Sequence, residues 1–205
     1  MTTSPDLSDA GLSLRLAVSS LEKDVAQLGW DRSPSLFAFV YTKSIFPQLA
    51  GEMDPIEADQ LRAALAENPL HLTAVLQDHL PPADLMDTLG HLVFGEDVAG
   101  VAVSMERFLV SPQADADAPA DPREREKFLL AHPSRQDVRI VAGATRDGNT
   151  WCASRARAED SDEMVAQGEN IVPELLEALK AMLVSDEELA QLASEPDSAG
   201  VSDAD

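Results

Sequence analysis

Between Leu12 and Leu28 the apolar residues Leu14, Val18, Leu21, Val25 and Leu28 recur at spacings of three and four. That places them on one face of an α-helix, and Gly29 ends it. Leu36 to Tyr41 is a short apolar, aromatic run, which predicts a strand buried on both faces. Asp54-Pro55-Ile56-Glu57 offers a cap, a proline suited to the first helical position and an acid in the first turn, so a helix to about Glu67 follows. Ala58, Leu61 and Leu65 face inward in it, and Asn68-Pro69 stops it. Leu72 to Gln77 predicts a weak strand. Pro81-Pro82 opens a helix with Leu85, Leu89 and Leu92 on one face.

From Val98 to Val110 the period changes to two, with Val101, Val103, Met105 and Leu109 on one side and Ala102, Ser104, Glu106 and Phe108 on the other. Asp121-Pro122-Arg123-Glu124 repeats the helix-start signal, and His132-Pro133 closes that helix. Val138 to Arg157 reads as two strands joined at Asp147-Gly148-Asn149, residues that tolerate the positive φ of a tight hairpin turn. Val172 to Leu183 is the last long helix, with Val172, Leu175, Leu176, Leu179 and Leu183 inward. Ser185 and Glu188 can cap one more turn to Leu192.

These elements predict an α+β fold: a mostly antiparallel sheet of about four or five strands, with the N-terminal and C-terminal long helices packed on one face. Residues 1–10 read as a disordered lead, 11–184 as a single domain, and 185–205 as an acidic, mostly disordered tail. In architecture the order is similar to small secretion-chaperone folds, which are acidic, often dimeric and bind polypeptides. A homodimer is therefore one expected state.

Composition narrows the partners. Hydrophobic residues make up 44% of the 205, enough for a core, but aromatics only 4%, so Leu, Val, Ala and Met must fill it. A net charge of −22 argues against a nucleic-acid or anionic-membrane partner held by bulk electrostatics. Tails inflate that figure: residues 185–205 carry seven acids and no base. The same charge suits mimicry of a polyanion if the acids stand in rows on the folded surface. The single cysteine, Cys152, rules out an internal disulfide and suits a reducing cytoplasm. The N-terminus has neither the basic nor the apolar region of a signal peptide, and no stretch has the length of apolar residues that a membrane span needs.

Catalytic and cofactor motifs are missing from the pattern. His71, His79, His91 and His132 form no metal-ligand spacing, and one cysteine cannot build a thiolate site. There is no Gly-rich phosphate loop and no Gly-x-Ser-x-Gly elbow, so no cofactor or metal is expected. Cys152, mid-strand, reads as a small buried hydrophobe. The basic residues are uneven: nine of 15 lie between Arg107 and Arg157. Trp151, Arg155 and Arg157 alternate in the second hairpin strand and share a face, with Arg139 able to lie across from them. Two readings follow. The face is a site for an anion or acidic peptide, since arginine forks bind carboxylates and phosphates. Or it is a solvated face whose arginines bridge to Glu106 and the acidic run Glu159 to Glu163.

Leu28-Gly29-Trp30-Asp31, Leu36-Phe37-Ala38, Asp97-Val98-Ala99-Gly100, Glu106-Arg107, His132-Pro133, Arg146-Asp147-Gly148, Trp151-Cys152-Ala153 and Ile171-Val172-Pro173 together resemble a family of small uncharacterised cytosolic proteins from actinobacteria. The resemblance covers about residues 12–184. It implies a bacterial cytosol and carries no catalytic residue. The expected function is that of a non-enzymatic binding or adaptor protein for another protein, with Trp151, Arg155, Arg157 and Arg139 as candidate binding residues. The alternative is a small anionic-ligand binder or enzyme that uses the arginine face.

Overall fold

A computed structural model describes residues 9–81, 83 and 85–184. The chain runs α1 (Asp9–Gln27), β1 (Ser35–Tyr41), α2 (Thr42–Glu52), α3 (Pro55–Glu67), β2 (Leu72–His79), α4 (Leu85–Gly90), β3 (Gly100–Leu109), α5 (Pro112–Ala116), α6 (Pro122–Ala131), β4 (Gln136–Thr145), β5 (Thr150–Ala156), β6 (Ala166–Gly168) and α7 (Pro173–Ala181). The six strands form one sheet in the order β2-β1-β3-β4-β5-β6, with every neighbouring pair antiparallel. The α+β class holds. The expected four or five strands become six because β6 is only three residues long and lies in a polar run with no alternating apolar signal.

Helix starts follow their caps. Asp54 accepts from the Ile56 N–H and Asp121 from those of Arg123 and Glu124, each with a proline in the first turn. Gly29, with φ 79°, takes the left-handed conformation that ends α1, and Gly148, with φ 85°, turns the β4–β5 hairpin. The helix α2 was not legible: Tyr41 at its N-cap makes no side-chain cap bond and Pro47 lies inside it.

The expectation that both terminal helices share one face is overturned. Leu14, Val18, Leu21 and Val25 of α1 pack on Phe39, Ala102, Val141 and Trp151. Leu175, Leu176 and Leu179 of α7 pack, with Leu85 and Leu89 of α4, on Ala38, Val101, Val103 and Ile140. Neighbouring residues in a strand point to opposite faces, so Ile140 and Val141 belong to different cores and the sheet is covered on both sides. The central strands carry apolar residues in succession over Val101–Val103 and Ile140–Ala142, as a doubly covered sheet requires. A nine-residue helix such as α7 has no independent stability. Each of its buried leucines contributes about 1.5–3 kcal/mol through burial, and that holds it in place.

Arg146 closes one end of this layering. Its guanidinium donates to the carbonyl oxygens of Val98 (2.8 Å), Phe94 (2.7 Å), Gly95 (2.6 Å) and Leu183. One side chain thus ties the segment before β3 to the end of α7. Among the described residues no helix is long and apolar enough to cross a membrane. The expected tail, residues 185–205, and residues 1–8 of the expected lead lie outside the described residues, and residues 9–10 already belong to α1.

Candidate functional site

The strand register brings the predicted residues together. Arg139 of β4 lies opposite Arg155 of β5, and Glu106 of β3 opposite Arg139. Two arginines face to face repel, so each turns to its own acid. Arg155, 3% exposed, forks onto Glu22 of α1 (2.6 and 2.8 Å), itself 1% exposed. The same guanidinium reaches Asp160 (3.2 Å) and Asp162 (2.7 Å) in the loop after β5. The hydrogen bonds it donates to Glu22, first, and to Asp162 hold Arg155 more basic than usual, and the bond from Arg155, with its charge, holds Asp162 below the ordinary carboxylate range.

Arg139, 1% exposed, serves the turn between α1 and β1. Its Nη2 donates to the Gly29 carbonyl and to Glu106 (3.2 Å), and the ring of Trp30 lies over the guanidinium at 4.3 Å. Glu106 also accepts from the Asp31 N–H (2.8 Å) and the Arg32 N–H (3.4 Å). Trp30 Nε1 donates to Asp160 at 2.8 Å, and that bond is the main reason Asp160 is held below its ordinary pKa. Asp31, a non-glycine residue with φ 64°, is gripped by the Arg157 fork at 2.7 and 2.8 Å. Nε and Nη1 of Arg139 are buried without a hydrogen-bond partner among the described residues.

These contacts correct the picture of a solvated arginine face. Trp151, Arg155 and Arg139 are covered by α1 and its following turn, and only Arg157 is exposed. The bridges to Glu106 and the acidic run do form. Glu22 was the missed partner: its polar side chain sits beside the apolar stripe of α1 and carries no pattern that marks it as buried. Trp151 packs in the α1 core, with the Arg15 guanidinium 5.2 Å from its ring centroid. Cys152 is buried on the opposite face, and burial pushes its thiol up, the reverse of what a nucleophile needs. Among the described residues no group of acids, histidines and cysteine is arranged to hold a metal ion.

Beside the network lies a cleft of about 580 Å³, between the C-terminal half of α1 and the sheet. Leu21, Val25, Leu28, Phe37 and Leu76 form its apolar wall. Leu28 is 59% and Leu76 49% exposed, so the predicted inward place of Leu28 is corrected: it is the last residue of the stripe, past the end of α1. Arg32, Arg139 and Glu106 line the polar side, together with Ser35 and His79. Arg32 is exposed, and among the described residues no ion pair engages its side chain. The volume falls within the range of small-molecule sites.

Ser35 Oγ and His79 Nδ1 are 2.8 Å apart across the β1–β2 pair. A nucleophilic serine needs a base oriented by a third group and donors for an oxyanion. Among the described residues His79 makes no hydrogen bond through its other ring nitrogen. No sequence pattern marks this cleft, because its residues come from α1, β1, β2, β3 and β4 and only the fold brings residues 21–37 against Leu76, Glu106 and Arg139.

No curated protein and no solved structure matches the sequence. One family model does, that of the PPA1309-like protein, over residues 14–184, which runs from within α1 past the end of α7 and takes in every residue of the network and cleft. The chain belongs to the PPA1309-like protein family.

Proposed function

We propose that this chain is a non-catalytic binding protein, acting in an actinobacterial cytosol as an adaptor for another protein, with the cleft between α1 and the sheet as its site. The observation that supports this reading most is the meeting of exposed Leu28 and Leu76 with an exposed, ion-pair-free Arg32 in one concave surface. In the cleft Asp31 and Glu106 are already paired with Arg157 and Arg139, so the charged groups it leaves without an ion pair among the described residues are Arg32 and, on α1, Asp24. The partner segment therefore carries an apolar side chain for the Leu28–Leu76 wall and a carboxylate for Arg32.

The test is affinity capture from the native cytosol with mass spectrometry, comparing wild type with Leu28→Asp/Arg32→Glu. Both residues are exposed, so the variant keeps its fold, checked by circular dichroism. A partner held by wild type and released by the variant is the expected result. A partner bound equally by both refutes the cleft as the site.

The cleft volume favours a second reading, a small amphipathic acid as ligand. Decanoate is a suitable probe. A rise in melting temperature in wild type, missing in the variant, supports this reading; equal responses refute it.

A further inference from the structure

We infer that two copies of this chain pair through strand β2, antiparallel, about a two-fold axis at Ala74. The inference is independent of what the cleft binds.

The strand β2 is an edge of the six-stranded sheet. The Thr42 N–H donates to the His71 carbonyl at 2.9 Å, and this fixes the phase of the β1–β2 ladder. Hydrogen-bonded pairs alternate with non-bonded ones in an antiparallel pair. With Val40 opposite Thr73 and Ala38 opposite Val75, the backbone groups of Thr73 and Val75 turn to β1. Those of Leu72, Ala74 and Leu76 turn outward, where no described strand lies.

Natural edges are guarded by charge, proline or a bulge. Here the guard covers one end only. Gln77 is the extra residue of a bulge opposite Leu36 and Phe37, and Asp78 takes the His79 N–H on its own carboxylate. From Leu72 to Leu76 there is no charge, no proline and no glycine.

What fits that open window is fixed by its symmetry. An isologous contact requires residue i to meet j while j meets i. Leu72-Thr73-Ala74-Val75-Leu76 reads nearly the same in both directions, with leucines at the ends, the equal-sized β-branched Thr and Val inside, and Ala at the centre. An axis at Ala74 pairs Ala74 with itself and Leu72 with Leu76 of the second copy, and these are the residues whose N–H and C=O groups point outward. Thr73 then meets Val75 of the second copy on the other face. Val75, 40% exposed, and Leu76 both gain apolar neighbours. The two sheets join as one, and the exposed Leu76 comes beside Leu72 at the rim of the second copy's α1 core. Two chains of charge −22 repel, so pairing strengthens as salt screens them.

Size-exclusion chromatography with light scattering tests the pairing. The expected result is a species of twice 22.0 kDa whose share grows with concentration and with salt. Val75→Lys, which leaves the inward backbone bonds in place, and Ala74→Pro, which removes an outward donor, both give monomer. Val75→Lys keeps the test open if Ala74→Pro fails to fold. Register is read by cross-linking: Ala74→Cys forms a covalent dimer on mild oxidation, since directly paired Cα atoms stand about 5.5 Å apart, within disulfide reach. Gln77→Cys does not, and the native Cys152 is buried. A chain that stays monomeric at high concentration and high salt overturns the inference. So does a dimer that survives Val75→Lys, or equal cross-linking at Gln77 and Ala74.

Discussion

Replacing Arg155 with Met leaves Glu22 as an unpaired carboxylate, 1% exposed, between α1 and the sheet. Removal of one member of a buried ion pair typically costs about 3–5 kcal/mol, because the remaining charge keeps its desolvation cost and loses its attraction. Asp160 and Asp162 add little to that figure, since both are about half exposed and screened by water. For a domain of this size about 4 kcal/mol corresponds to a fall in melting temperature on the order of 10 °C. The companion Glu22→Leu strands Arg155 less severely, because Asp160 and Asp162 still bind it. The double variant Glu22→Leu/Arg155→Met removes both charges and restores apolar contact, so it returns to within about 1–2 kcal/mol of wild type. Urea unfolding followed by circular dichroism completes the cycle. The reasoning is refuted if Arg155→Met costs under about 1 kcal/mol, or if the two single costs simply add in the double variant. Either result would mean that water, not Glu22, solvates this guanidinium.

Other outcomes follow from the same contacts. Gly143→Ala places a Cβ 2.8 Å from Val18 Cγ2 and 3.1 Å from Phe39 Cε2, so these side chains must shift in the packing of α1 on the sheet; a loss of about 1–3 kcal/mol in urea unfolding is expected, and an unchanged midpoint counts against this close approach. Arg146→Ala leaves the carbonyls of Val98, Phe94, Gly95 and Leu183 without their shared donor, and a loss of about 2–3 kcal/mol is expected, with faster hydrogen exchange at α7. Acid titration probes Asp31, Asp160 and Asp162, all held below their ordinary value of 3.8 mainly by hydrogen bonds. Because the folded values are depressed, their stabilisation is full above about pH 4 and is lost as pH falls through the folded values; the wild-type stability slope in that window should shrink in Arg155→Met, and an unchanged slope would refute the linkage.

Local signals carried well and lateral ones did not. Asp54 and Asp121 announce their helices because a side-chain cap and a following proline are written in consecutive residues. Asp147, Gly148 and Asn149 likewise mark the hairpin, and its register was legible enough to set Arg139 near Arg155. The placement of α1 and α7 on opposite faces was not legible. Both helices have one apolar stripe, and a stripe states that a helix packs without stating on which side of the sheet. The clue lay in β4, where Ile140, Val141 and Ala142 are apolar in succession, a pattern that requires cover on both faces. Glu22 and Arg146 were illegible for another reason: their partners lie 133 and up to 52 residues away, and only the fold pairs them.

The three hairpin arginines, Arg139, Arg155 and Arg157, have a physical account that does not need a ligand. The turn after α1 contains Gly29 and Asp31, both with positive φ, and by itself would not hold one conformation. Arg139 binds the Gly29 carbonyl and stacks on Trp30, Arg157 grips Asp31, and Glu106 takes the next two N–H groups. Arg155 fastens α1 and the Asp160–Asp162 loop to the same strand. Arginine suits this work because its fork meets two acceptors at once and stays charged when covered. The outcome is a fixed angle between α1 and the sheet, and the cleft is the gap that angle leaves at Leu28 and Leu76. If the cleft binds a partner as proposed, Arg155 and Arg157 act on that binding through its shape, whereas Arg32 stands where the partner enters. Substituting Arg157 should weaken binding only as far as it loosens the turn, and Arg32→Glu should abolish it in a protein whose stability is unchanged.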